Sequence, residues 1–263
     1  ILNIILDPVC IYVLNFGVIG AGVSTLIANV IMFILFRINT NGILNYRYDL
    51  KVDFEKIKEI IRLGFPMAFQ RILFTIINII LAKIIAMFGS EAIAAQKIGV
   101  QIESIAYMII GGLNGAVASF TGQNFGAGKS NRIKEGYRSA LVVGISYAIV
   151  MAGGFLLLNR PLIRLFIRDE STILIASAYL KAVAFSQVFS AIEMISNGMF
   201  TGIGKPNIPA TISIVFTSLR IPLALVLIKP FGISGIWISI CISSILKGIC
   251  SYFIYETKIR KIL

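Results

Sequence analysis

The paired nonapeptides FGVIGAGVS (16–24) and FGISGIWIS (231–239) set the architecture of this 263-residue chain. Both fit the pattern F-G-[VI]-x-G-x-x-[VI]-S, the second copy lying 215 residues after the first. Each follows an apolar segment that holds a proline, Pro8 or Pro222, one residue out of register, and each leads into a further apolar segment. A duplicated helical bundle accounts for this, because transporters are often built from internal repeats. Chance likeness between two Gly- and Ile-rich hairpins is the plainer alternative. Both copies run in the same direction across the membrane, so the repeat is parallel. Six helices separate the copies, counted from one proline-bearing helix to the other. That spacing implies six-helix halves, of which the first is represented here by its last two helices.

The composition places those helices in a bilayer. Hydrophobic residues make up 57%, charged residues 14%, and the mean hydropathy is +0.91, whereas globular domains carry about a quarter charged residues. Apolar stretches recur at 1–14, 17–38, 64–88, 92–118, 137–158, 172–200, 208–228 and 233–255. The first is about 21 Å long at the helical rise and too short to cross a hydrocarbon core of about 30 Å. The chain is therefore expected to be a fragment that starts inside a helix, with no signal peptide pattern at its start. The expected fold is an all-α polytopic membrane protein. Residues 1–38 would end an N-terminal lobe, 39–63 would connect, and 64–263 would form a C-terminal six-helix lobe.

Charge sets the orientation. Fourteen Lys and Arg fall on one side: Arg37, Arg47, Lys51, Lys56, Lys58, Arg62, Lys129, Arg132, Lys134, Arg138, Lys205, Lys258, Arg260 and Lys261. Four fall on the other: Arg160, Arg164, Arg168 and Lys229. The positive-inside rule puts the C-terminus and the 39–63 loop in the cytoplasm of a multi-pass cell-membrane protein. The net charge of +12 is thus a topology signal and not a nucleic-acid footprint. In the connector, DFEKIKEIIRL (53–63) gathers Phe54, Ile57, Ile60 and Ile61 on one face. It reads either as an interfacial amphipathic helix or as a plain linker.

Several chemistries are closed to this chain. It has no His, so imidazole bases, ligands and proton relays are absent. Cys10, Cys241 and Cys250 lack CxxC spacing and read as packing residues. GQNFGAGKS (122–130) imitates a phosphate loop, but Gln123 stands where its first glycine belongs and no strand precedes it. A flexible turn between two membrane helices fits better. Without paired carboxylates or a nucleophile motif, an enzyme is not expected.

The chemistry lies in polar residues at depth. Asp7 is nine residues before the turn at Phe16 and Thr25 nine after it, both about 13 Å from the turn and near the bilayer midplane. Asn3 and Asn29 lie four residues further out on the same faces. An Asp at the centre of a membrane helix costs roughly 2.5–3.5 kcal/mol to insert, so it should face a cavity or a partner. Asn3, Asp7, Thr25 and Asn29 therefore form either a cation or proton site or an interhelical hydrogen-bond clamp.

Two further polar stripes occur. Gln96, Glu103, Tyr107 and Asn114 share one helix face, as do Ser186, Ser190, Glu193 and Asn197. They read as walls of a water-filled substrate path, or as internal glue with Glu103 paired to Lys97 or Lys83. Arg71, Lys181, Arg220 and Lys247 read as snorkelling or structural partners.

These residues together resemble the multidrug and toxic compound extrusion (MATE) family. NIILDP with FGVIGAGVSTLIANV resembles the family's fifth and sixth helices, GQNFGAGK the loop after the eighth, and GMFTGIGKPNIP the end of the tenth. The resemblance implies two pseudo-symmetric six-helix lobes that open alternately, in a monomer that expels small organic, often cationic, compounds in exchange for Na⁺ or H⁺. It implies no cofactor besides the coupling ion. The family's first-lobe cation site falls on Asn3, Asp7 and Thr25, its remaining carboxylate lying upstream of Ile1. On the seventh helix, where some members carry an acid, this chain has Gln70 near Pro66, and Thr201 stands where many have Arg. A lipid-linked oligosaccharide flippase of the same superfamily is the alternative, kept open by Arg71 and Arg220.

Overall fold

The computed structural model describes residues 2–39 and 53–263. Most of the expected connector, including Arg47 and Lys51, lies outside the described residues. The chain falls into two compact units, Ile1–Phe54 and Glu55–Leu263. Seven helical segments among the described residues are long and apolar enough to cross a bilayer, and Leu2–Val13 is a shorter apolar one. An all-α membrane bundle results.

The first unit is a helical hairpin. Helix α1 (Leu2–Pro8) widens into a π-helical turn over Val9–Val13, then reverses at Asn15 and Gly17 into α2 (Gly17–Asn39). Pro8 supplies the cause of the widening. It has no N–H to offer the preceding turn, and its ring crowds a carbonyl one turn back. The i→i+5 bond from Leu14 N to Val9 O, 2.9 Å, accommodates the misfit.

In the second unit α3 (Phe54–Ala86) is one continuous helix. The amphipathic stretch and the first span of this unit, read separately from the sequence, are thus fused through Gly64 and Pro66. Helix α4 (Ser90–Gly126), about 55 Å at the helical rise, turns into α5 (Ser130–Leu157). That turn is tight. Lys129 N bonds Asn124 O at 2.9 Å and Gly128 N bonds Phe125 O at 3.1 Å, with Gly128 at φ +67°. This is a Schellman cap, which only a left-handed residue such as Gly closes cheaply, and it is what the imitation phosphate loop builds.

A short α6 (Asn159–Arg164) leads to α7 (Glu170–Gly202), the central helix of the unit, packed by α4, α5 and α10. Asp169 caps α7. Its carboxylate accepts from the Ser171 hydroxyl, the Thr172 hydroxyl and the Thr172 N–H, and these bonds hold its carboxyl below the usual range. Gly198 and Gly202, four apart, let the backbones of α7 and α4 meet. A Cβ on Gly198 would strike Asn114 O, and one on Gly202 would sit 2.7 Å from Ala118 O.

The span expected at 208–228 is present as Asn207–Phe231. It consists of α8 (Asn207–Ser218) and α9 (Arg220–Phe231), which meet at Leu219, itself in helical backbone. Pro222 cannot donate to the Ser218 carbonyl, so the ladder is interrupted there. Helix α10 (Ser234–Ile254) follows and ends in a π turn (Tyr255–Ile259) and a last helical turn, α11 (Arg260–Ile262).

The sequence repeat is a structural repeat. Gly17 and Gly232 both adopt left-handed backbone, at φ +53° and +56°. A Cβ on Gly20 would sit 2.6 Å from Cys10 O, and one on Gly235 would strike Leu227 O, so each glycine seats the second helix of its hairpin on the backbone of the first. Ser24 and Ser239, the final residues of the two motifs, are fully buried, and both donate to the carbonyl three residues back, at 3.0 and 2.7 Å.

Candidate functional site

Four polar side chains converge in the first hairpin. Ser24 Oγ donates to Asp7 Oδ1 or, alternatively, to Ala21 O. Asn3 Nδ2 donates to Thr25 Oγ1 at 3.4 Å, and Thr25 Oγ1 donates to Ala21 O at 2.9 Å. Asn29 has no place in this chain of bonds. It lines a pocket of about 310 Å³ together with Leu2, Asn3, Thr25, Ala28 and Met32. The carbonyl oxygen Asn3 Oδ1 is buried and accepts no hydrogen bond from the described residues, which leaves an acceptor beside the pocket for a hydrogen-bond donor or a cation.

The register differs from the one that residue counting predicts. Counting out from Phe16 sets Asp7 level with Thr25 and Asn3 level with Asn29. In the structure Asn3 meets Thr25, and Asp7 meets Ser24. The π turn accounts for the shift, because it holds more residues per turn than α-helix and draws α1 toward the hairpin end. Ser24 was not among the residues picked from the sequence. Its signal was its place beside Thr25 in the repeat motif.

The second unit holds a separate buried network. Tyr179 on α7 donates to Glu103 Oε2 on α4 at 2.5 Å, so Glu103 pairs with neither Lys97 nor Lys83. Gly99, one turn before Glu103, makes room for the Tyr179 ring. Trp237 packs edge-on against that ring at 5.0 Å. Tyr107 donates to Ser190 Oγ at 3.3 Å, and Asn114 Nδ2 to Met194 O at 2.5 Å. The Asn197 carbonyl accepts from Thr201, while Asn197 Oδ1 is buried without a partner. Gln70 and Gln96 are half-buried. The two polar stripes thus meet each other at Tyr107 and Ser190, and along the α4–α7 seam.

Two of the cations read as snorkelling or structural partners take the structural role, inside the unit. Arg220 is 8% exposed and donates to Ser243 Oγ at 3.1 Å and Ser244 Oγ at 3.3 Å. Lys247 Nζ lies 3.7 Å from Glu193 Oε1, with side-chain exposures of 7% and 14%. Tyr179 was legible in hindsight: Tyr179, Ser186, Ser190, Glu193 and Asn197 recur at 0, 7, 11, 14 and 18, one face of α7. Arg71 and Lys181 are exposed.

Comparison with known proteins places this arrangement. The family model MatE matches residues 66–226. The chain is 29% identical over 265 residues to the "Probable multidrug resistance protein NorM" of Thermotoga maritima, spanning 94% of this chain and 55% of the relative. It is 26% identical over 258 residues to the "Multidrug export protein MepA" of Staphylococcus aureus, at 96% and 57%. The chain therefore spans a little over half the length of these curated relatives. Its fold matches a multidrug resistance MATE family transporter solved in an outward-facing conformation, with TM-score 0.88 and 23% identity, over 100% of this chain and 61% of that one. It also matches a MOP superfamily transporter from Pyrococcus furiosus, described as having a binding pocket of reverse polarity, at TM-score 0.87 and 24% identity, over 98% and 60%. The family model covers more than half of the chain, and the chain belongs to the multidrug and toxic compound extrusion family.

Proposed function

We propose that this chain forms part of a secondary active exporter that expels small organic, largely cationic compounds in exchange for Na⁺ or H⁺ by alternating access. One observation carries the reading: Asn3, Thr25 and Asn29 line one pocket, and the buried, unsatisfied Asn3 Oδ1 lies one helical turn from Asp7. Amide, hydroxyl and carboxylate oxygens are the donors that hard cations take. An intramembrane acid is a functional site by default. Asp7 would hold the ion or the proton, and its occupancy would bias which way the transporter faces. The orientation follows the basic loops, with the C-terminus cytoplasmic.

The names of the curated relatives support drug export as the cargo class. The flippase reading asks for basic residues lining a cavity. Arg220 is instead buried against Ser243 and Ser244.

The test is efflux of ethidium or norfloxacin from an efflux-deficient bacterium that expresses the complete genomic reading frame. Asp7→Asn is expected to abolish accumulation-lowering activity at unchanged protein level. Equal export by the variant would remove Asp7 from the coupling role.

A further inference from the structure

The two hairpins share a register, and that register sets a pocket against a pair of cations. With the offset of 215 that unites the motifs, the α2 residues lining the first pocket, Thr25, Ala28, Asn29 and Met32, correspond to Ile240, Ser243, Ser244 and Lys247 on α10. On the other helix, matching the Cys10–Gly20 contact with the Leu227–Gly235 contact brings Asn3 into correspondence with Arg220. Arg220 covers Ser243 and Ser244 with its guanidinium, and Lys247 reaches Glu193. We infer that Arg220 and Lys247 are tethered cations filling the second hairpin's copy of the pocket, and that Lys247 occupies the place at Glu193 that a free alkali cation would otherwise take.

The local packing fits this role. Gly248 lies directly on the Phe189 carbonyl, so α10 approaches α7 one turn from Glu193 and delivers Lys247 to it. The separation of 3.7 Å exceeds a hydrogen bond, so the ammonium acts as a charge beside the carboxylate more than as a fixed donor. Oxygen donors surround the same face: Ser190 and Asn197 lie one turn to either side of Glu193, and Asn197 Oδ1 is buried and unsatisfied. Glu193, Ser190 and Asn197 therefore offer a carboxylate, a hydroxyl and an amide oxygen, the set found around Asp7. They differ in having a cation built into the chain. The inference rests on the Glu193–Lys247 pair itself and not on ion binding at Asp7.

The experiment follows thermal unfolding of the complete, detergent-purified protein in NaCl, LiCl or KCl against choline chloride at equal ionic strength. An Asp7→Asn background silences any response of the first hairpin. In that background the protein is expected to show no alkali-specific shift, with or without Glu193→Gln. Lys247→Met is expected to melt lower in choline chloride and to regain a Tm rise of about 5 °C in at least one alkali chloride, as mass action on a newly opened site requires. Glu193→Gln/Lys247→Met should lose that gain. A Glu193-dependent shift already present with Lys247 in place would overturn the inference, because the site would then be open. So would a folded Lys247→Met with no alkali response. If Lys247→Met yields no folded protein in any salt, Lys247→Ser leaves more room for a hydrated ion. Failure of both to fold in any alkali chloride, while the double variant folds, also overturns it.

Discussion

The two hairpins of this chain start from one motif and end in opposite chemistry. Both use a left-handed glycine at the turn, Gly17 or Gly232, and a second glycine seated on the partner helix, Gly20 or Gly235. Both carry a buried serine at the motif's end. In the first, Gly22 leaves space, and the polar line is Asn3, Asp7, Ser24 and Thr25. In the second, Trp237 occupies the position of Gly22 and packs on Tyr179, while Arg220 and Lys247 fill the polar line. The glycines preserve the fold, because a Cβ there meets backbone that cannot yield. The polar positions are free to diverge, because either sign of charge is tolerated when it is paired. Duplication here has conserved a packing solution and separated two electrostatic ones.

The strongest way to break this comparison is to unpair the second hairpin. Lys247→Met leaves the half-buried Glu193 without its cation and should cost about 3 kcal/mol, the lower end of the range for breaking a buried pair by removing one partner. Glu193→Gln/Lys247→Met should recover most of it, as read by thermal unfolding in detergent. Recovery of nothing would mean that Lys247 matters for shape and not charge.

The shared packing is tested by Gly20→Ala and Gly235→Ala. Each forces a methyl onto the partner backbone and should destabilise by about 1–3 kcal/mol. Similar losses in unfolding experiments would support an equivalent role; a neutral change at one position would show that the repeat is not equally tight in both copies.

Serine substitution sharpens the difference. Ser24→Ala removes the donor to the half-buried Asp7 and should cost about 1 kcal/mol, the low end of the penalty for leaving a polar partner unsatisfied. Ser239→Ala removes only a bond to its own helix, at Ile236 O, and should cost clearly less. Equal effects in thermal unfolding would deny the Asp7–Ser24 link its special place.

The smallest effect is expected outside the repeat, at Asp169. Its folded carboxyl lies below its ordinary value of 3.8, so its contribution is full above that value and is lost as pH falls through the folded one. Asp169→Asn keeps a capping acceptor but not the charge, so it should lower stability slightly at neutral pH and converge with the wild type as pH falls below about 4, which flattens the acid limb of the stability profile.

Much of the molecule was legible as a string. Apolar runs gave the membrane bundle, because about 20 residues of helix must match one hydrocarbon thickness. The motif gave the repeat, and the isolated polar letters gave Asn3, Asp7 and Thr25 as partners in one region. The breaks were less accessible. Pro222 was visible, but whether a proline kinks, widens or ends a helix depends on how neighbours absorb its missing bond. It interrupts the ladder near Leu219, while Pro8 yields a π turn and Pro66 lies within an unbroken helix.

Sequence alone therefore determined class and repeat, since these follow from composition and from identity between the two motifs. Only the tertiary structure decided which polar groups meet. Asp7 takes Ser24, Asn3 takes Thr25, Glu103 takes Tyr179, and Glu193 takes Lys247. A pairing depends on the register between helices. In these hairpins that register is set by a π turn, a proline-interrupted ladder and two glycines seated on backbone, and no periodicity within a single helix encodes it.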